Sequence, residues 1–356
     1  MKQLSQVYLI LLLLAALPGC SSVSYYTQVI SGHVSLMIRS EPVDEVLQRP
    51  DTPPELSQAL SSAQSARTFA EHRLKLPVGG AFSSFVALEH PWVVVNLVAV
   101  PEFSLTPKQW CYPFVGCQAY RGYFDLAMAK EARRHFDSQG YDTFIGAVTA
   151  YSTLGWFDDP LHTGFTNLSE DRMVALMFHE LAHRVVYLSG DTAFNESFAT
   201  AVELEGLRLW LEREGQPEVF ERALLRLEHR NRTLELVNDT SETLRRLYEQ
   251  QSVLNREQLR QRKQQILDDL ANRYEALAAH YPEPGPFGSA PVQLNNANLA
   301  LFQQYNQYVP AFRRLLKESG FDFEQFYEAV SRLSEQPETE RKKALNALSE
   351  RFDEHL

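Results

Sequence analysis

The segment His179-Glu180-Leu181-Ala182-His183 sets two imidazoles four residues apart, with a carboxylate next to the first. On a helix, side chains at i and i+4 stand one turn above each other, so both rings can converge on one ion at about 2.0–2.1 Å, the zinc–nitrogen distance. Glu180, one position on, projects beside the pair. A carboxylate placed there can take a proton from an activated water and later deliver it to a leaving amine. On the order of one chain in a hundred of this length would carry the HExxH pattern by accident, so its context decides.

That context is helical. Ser169 can cap a helix whose first turn holds Glu170 and Asp171, where the dipole favours anions, and Ser189-Gly190 would end it. Val174, Met177, Phe178, Leu181, Val185 and Leu188 recur at helical spacing and predict the core face, leaving His179, Glu180 and His183 on a neighbouring stripe. Catalytic zinc takes three protein ligands and keeps one position open. The next helix, predicted from 191 or 192 to 214 and closed by Gly215, opens with Asn195-Glu196-Ser197-Phe198-Ala199-Thr200. Glu196, thirteen residues after His183, is the expected third ligand. Glu203 lies seven residues further along nearly the same helix face and is the rival ligand. Its expected role is a hydrogen bond to a ligand histidine, because ligating imidazoles usually donate their other N–H to a carboxylate or carbonyl. Glu205 reads equally well as a solvated helix charge.

Other segments supply the frame. Residues 21–75 read as a tether followed by one or two helices, with a helical repeat over 55–74. Between 82 and 100, β-branched and aromatic residues around Val93-Val94-Val95, punctuated by Pro91 and Pro101, predict strands of a small mixed sheet. A helix over 125–139 ended by Gly140 and a strand over 143–154 follow. Residues 218–280 are rich in Leu, Arg, Gln and Glu without Pro or Gly, which predicts a long helical hairpin, bent near 238–241. Four prolines and two glycines within 282–291 make a loop before a helical C-terminal region. The expected fold class is α+β, mainly helical, with a zincin-like catalytic core over 76–216, a hairpin arm over 217–281 and residues 282–356 completing the core.

A formal net charge of -11 and a pI of about 5.5 argue against nucleic acid as a partner. Lys2 and an apolar run over 7–17 resemble an export signal of residues 1–19, and the run is too short to span a bilayer. Leu17-Pro18-Gly19-Cys20 resembles the lipobox of bacterial lipoproteins, which implies lipidation of Cys20 and attachment to a membrane of the bacterial cell envelope. Ser21 in place of Asp implies the outer membrane, facing the periplasm. Cys111 and Cys117 can close a small disulfide loop in that oxidising compartment; free thiols or metal ligation are the alternatives.

The Asn195 to Ala199 segment resembles the NExxA ligand motif of gluzincin aminopeptidases, although thirteen residues from His183 is a shorter spacing than theirs. Together with Trp110-Cys111-Tyr112-Pro113, Tyr120-Arg121-Gly122-Tyr123-Phe124 and the stretches 150–157, 178–183 and 194–199, the chain resembles a bacterial family of zinc aminopeptidases occurring as lipoproteins. The resemblance implies a peptide substrate and removal of its N-terminal residue. It implies that Tyr151, Ser152, Thr153 and Gly155 lie on a strand that pairs with an extended peptide. Tyr305 is the expected donor to the developing oxyanion, with Tyr151 and Tyr308 as competitors. Glu203 or Asp159 would grip the substrate's ammonium. Two alternatives stand beside this reading: an envelope endopeptidase or quality-control protease, and a non-catalytic zinc-binding scaffold or chaperone.

Overall fold

A computed structural model describes residues 20–112, 116–148, 157–302 and 307–352. The expected leader and the expected roles of Tyr151, Ser152, Thr153, Gly155 and Tyr305 fall outside the described residues. Within them the chain is α+β and mainly helical, with three small sheets.

A helix, α1 (Cys20–Arg39), stands where the tether was expected. Its inner face buries Tyr25, Gln28 and Leu36, and the Gln28 side chain accepts a hydrogen bond from the Phe124 amide at 2.9 Å. Two short elements, β1 (Glu41–Pro42) and α2 (Val43–Leu47), lead to α3 (Pro54–His72), whose Pro54 lies in the first turn, where a missing N–H costs nothing. No described helix is long and apolar enough to cross a membrane.

The principal sheet is antiparallel. Strands β3 (Val94–Pro101), β6 (Arg121–Tyr123) and β7 (Tyr141–Val148) run in the order β6-β3-β7, with β7 at an edge, and α4 (Leu126–Ser138) packs against it. The mixed sheet expected here is instead a minor one, formed by β1, β2 (Ser84–Val86) and β8 (Leu161–His162). A hairpin of β4 (Trp110–Tyr112) and β5 (Gly116–Gln118) places Cys111 opposite Cys117, and the two are joined by a disulfide.

After the one-turn α5 (Thr163–Thr166), the main hydrophobic core gathers α3, α6 (Glu170–Ala182), α7 (Thr192–Arg213) and three C-terminal helices, α11 (Val309–Glu318), α12 (Phe323–Ser334) and α13 (Glu338–Glu350). Phe69 of α3 meets Phe178 of α6 and Trp210 of α7 at ring separations of 5.9 and 5.5 Å. At Gly206 of α7 a Cβ would come within 2.8 Å of both the Phe178 ring and Leu74, so a larger residue would disturb the packing of α6 on α7.

Two boundaries differ from the sequence expectation. Helix α6 stops at Ala182, not near 188: Arg184 and Val185 donate to Leu181 and Ala182 in a tightened last turn. Arg184 then donates to the Val78 carbonyl at 2.6 Å, and Asn195 holds the Leu188 N–H and C=O at 2.8 Å each. The Asn195 bonds replace those that Leu188 would have made in a further helical turn, and the Arg184 side chain ties the connection to Val78.

The arm is the antiparallel pair α8 (Phe220–Tyr248) and α9 (Arg256–Ala278), turning at 249–255 instead of 238–241. Asn238-Asp239-Thr240-Ser241 reads as a turn, but Val237, Thr240, Ser241 and Leu244 are buried, and the helix continues through them. The turn ends at a capping box between Asn255 and Gln258. Buried Lys263 fastens the arm to the sheet, donating to Asp142 at 2.6 Å and to the Glu102 carbonyl at 2.8 Å. A last short helix, α10 (Asn296–Phe302), packs between arm and sheet.

Candidate metal centre

Helices α6 and α7 lie side by side, and the site forms where the last turn of one faces the first turns of the other. The core face predicted for α6 is in place: Val174, Met177, Phe178 and Leu181 are buried. This rotation turns His179 and His183 towards α7, with ring centres 4.9 Å apart and planes at 82°. Asp191 caps α7 by accepting from the Phe194 amide, which fixes where Glu196 begins its reach.

One ligand atom each from His179, His183 and Glu196 lies within 4.8 Å of the others. His179 Nε2 is 3.3 Å from Glu196 Oε2, and His183 Nε2 is 3.8 Å from Glu196 Oε1. Glu203 Oε2 stands 3.0 Å from His179 Nδ1, on the opposite side of the ring. Glu203 therefore meets the nitrogen that points away from the three-residue cluster.

Electrostatics follow from this crowding. Burial alone would lower the pKa of His179, but the hydrogen bonds it donates to Glu196 and Glu203 outweigh it and hold the imidazole well above its ordinary value. His183 goes the other way, to about 4, through burial and the neighbouring charge on His179. Burial would raise Glu196, yet His179, His183 and Arg230 keep it below the ordinary carboxylate value. Glu180 is pushed up to about 7, chiefly by burial, opposed by His179 and reinforced by Glu196, Asp159 and Glu203. Asp159, buried just after the undescribed stretch 149–156, thus borders the Glu180 carboxyl.

Other expected residues fall elsewhere. Tyr308 is a core residue: its ring is buried, its amide donates to Ser197 Oγ at 3.0 Å, and the charged groups around it are Asp191, Arg341, Lys342 and Glu338. Glu205 receives two hydrogen bonds from Arg208, at 2.9 and 2.5 Å, so its partner is a surface arginine.

Three residues near the centre escaped the sequence reading. Tyr120 is desolvated and feels the charges of Glu196 and Glu180, which raise its pKa. Tyr187 stands 6.5 Å from the His183 ring, centre to centre, and is also raised by burial, against a hydrogen bond with Gln118. Arg230 arrives from the arm. Tyr187 lies four residues past His183, a one-turn spacing that is visible in the sequence. Tyr120 and Arg230 depend on long-range packing.

No curated protein and no solved structure matches the chain. Residues 24–345 match the model of the protein family described as "Putative aminopeptidase", whose name points to peptidase activity. Since that match runs from α1 to α13 and takes in both site helices, the chain belongs to this aminopeptidase family.

Proposed function

We propose that the protein is a zinc-dependent aminopeptidase of the gluzincin type, with His179, His183 and Glu196 as ligands and Glu180 as general base. The observation that carries the reading is the convergence of these two imidazoles and one carboxylate on a common point. The donor set fits the ion. Ligands at about 2.0–2.1 Å in a tetrahedron are separated by about 3.3 Å, and the nitrogen–oxygen separations here are 3.3 and 3.8 Å. Glu203 supports the assignment by holding His179 Nδ1, which leaves Nε2 directed at the shared point.

When bound, zinc supplies Lewis acidity that polarises a carbonyl and makes water a nucleophile at neutral pH. Glu180 accepts the proton of the attacking water and passes it to the departing amine. Tyr187 and Tyr120 replace Tyr308 as proposed donors to the oxyanion and stand beside Tyr305, because the first lies 6.5 Å from the His183 ring and the second feels the charges of Glu196 and Glu180. Asp159 and Glu203 both act on the Glu180 carboxyl and give the site a negative potential that suits a substrate ammonium. The pair of site helices and the edge strand β7 upstream of them support the reading of a zincin-like core.

For the address we propose export and lipid attachment at Cys20. The helix that starts there exposes Val23, Ile30, Val34 and Ile38 along one face, an apolar stripe that suits contact with a bilayer surface. The test of the activity is direct. Dialysis against a chelator should abolish cleavage of peptides with a free N-terminus, zinc should restore it, and N-acetylated peptides should resist. Equal cleavage of acetylated peptides would make the enzyme an endopeptidase, and chelator-insensitive cleavage would remove the metal.

A further inference from the structure

The arm does more than brace the sheet. A cavity of about 690 Å³ opens between α6, α8, the edge strand β7 and the loop 281–287. Its walls carry Arg172 of α6 and Arg222, Arg226 and Arg230 of α8, with Glu283 as the single acid among the described lining residues. The three α8 arginines are spaced four apart and so share one helix face. Arg226 is engaged, donating to Asp171 at 2.9 Å and lying 3.3 Å from Glu283. Arg172, Arg222 and Arg230 make no ion pair among the described residues, and the buried Nε of Arg230 has no hydrogen-bond partner there.

A second, smaller space of about 330 Å³ is lined by Arg172, Arg226 and Arg230 together with Thr200 and Glu203, whose carboxylate meets His179 Nδ1 at 3.0 Å. Arg172 precedes His179 by seven residues, or about 10 Å along the helix axis. An extended peptide advances about 3.3 Å per residue. A group about three residues beyond the scissile bond therefore reaches the arginines.

We infer that this arginine-lined cavity binds the carboxylate of a short peptide whose N-terminal bond lies at the metal centre. Unpaired guanidiniums in a walled site recognise a planar anion through paired N–H donors, and a peptide of about four residues presents its C-terminal carboxylate at the right distance. The pocket thus selects for short, free-acid peptides and measures their length from the reacting end. This inference rests on the peptidase reading above, and it adds the substrate class.

The experiment uses the full chain with zinc and the inactive Glu180→Gln variant, so that binding is read without turnover. Calorimetry with tetraalanine as the free acid, tetraalanine amide, and an amidated tetrapeptide ending in Asp should show the free acid at least tenfold tighter than the plain amide. Tight binding of the Asp amide as well would extend the pocket to side-chain carboxylates. In the Arg172→Gln/Arg222→Gln double variant the acid-over-amide ratio should fall to within about twofold of unity. Both arginines are solvent-exposed, and thermal melts of this variant should match the parent. Equal binding of acid and amide, no binding of either, or a preference untouched by the double substitution would overturn the inference. Wild-type turnover separates the two readings. Hydrolysis without a carboxylate preference leaves the peptidase and removes the pocket, whereas preferential binding without hydrolysis leaves the pocket and removes the peptidase.

Discussion

Replacing Glu203 with Ala distinguishes its two possible roles. The carboxylate meets His179 Nδ1 at 3.0 Å, while Glu196 meets Nε2 of the same ring. The two nitrogens diverge across the imidazole, so an ion held at Nε2 with His183 and Glu196 is out of reach for Glu203. The substitution therefore leaves the donor set intact and removes the group that orients and polarises one donor. A hydrogen bond to a charged group contributes about 1.5–3 kcal/mol. Glu203 is 30% exposed, so water can take over part of that role. The expected cost sits near 1.4–2.7 kcal/mol, or about ten- to a hundredfold in metal affinity, which matches the usual effect of losing such a support. Competition for zinc against a chelating dye reads the affinity, with Glu196→Ala as the comparison. Glu203→Ala should bind zinc ten- to a hundredfold more weakly than wild type, and Glu196→Ala more weakly still. An unchanged affinity in Glu203→Ala, or a loss exceeding that of Glu196→Ala, would refute the assignment of the two carboxylates.

Three further outcomes follow from the frame. Asn195→Ala removes both hydrogen bonds to Leu188, at 2.8 Å each, and should cost about 1–3 kcal/mol, read as a lower midpoint in urea; an unchanged midpoint would show that the connection between the site helices holds without it. His162 is buried, accepts from the Gly164 amide and has its pKa lowered to about 4 by burial. Its neutral form is the native one, so its contribution is complete above pH 6.5, the ordinary value, and is lost as pH falls towards 4, by about 3 kcal/mol in all. His162→Asn keeps an acceptor for Gly164 and should flatten that part of the acid limb, whereas an unchanged limb would place the acid sensitivity elsewhere. Lys263→Met strips Asp142 of its buried partner and should cost about 3–5 kcal/mol, with faster amide exchange in α9; protection equal to wild type would mean that apolar packing alone holds the arm.

The site was more legible than its surroundings because its information is local. His179, His183 and Glu203 fall into place from helical spacing, since a four-residue step is one turn whatever the tertiary fold. The capped starts at Asp125 and Asp191 and the closing Gly140 and Gly215, both at positive φ, are equally local signals. Boundaries decided by distant partners were not legible. The arm continues through 238–241 because its inner face meets α9, and α6 ends early because Val78 and Asn195 take up the groups beyond it. The same holds for Tyr120, which lies in the bend between β5 and β6, and for Arg230, brought by a helix that starts more than twenty residues after Glu196. Charge along α8 reads from sequence as a solvated stripe, and only the packing against α6 encloses it.

The central claim, that one metal ion and Glu180 together cleave peptides, is tested most directly by measuring bound zinc and aminopeptidase rate on the same preparation of Glu180→Gln. The account predicts zinc near one per chain in wild type and variant alike, with the rate in the variant down by about a hundredfold or more. A variant that keeps the wild-type rate, or a wild-type protein that cleaves peptides without metal, would contradict it.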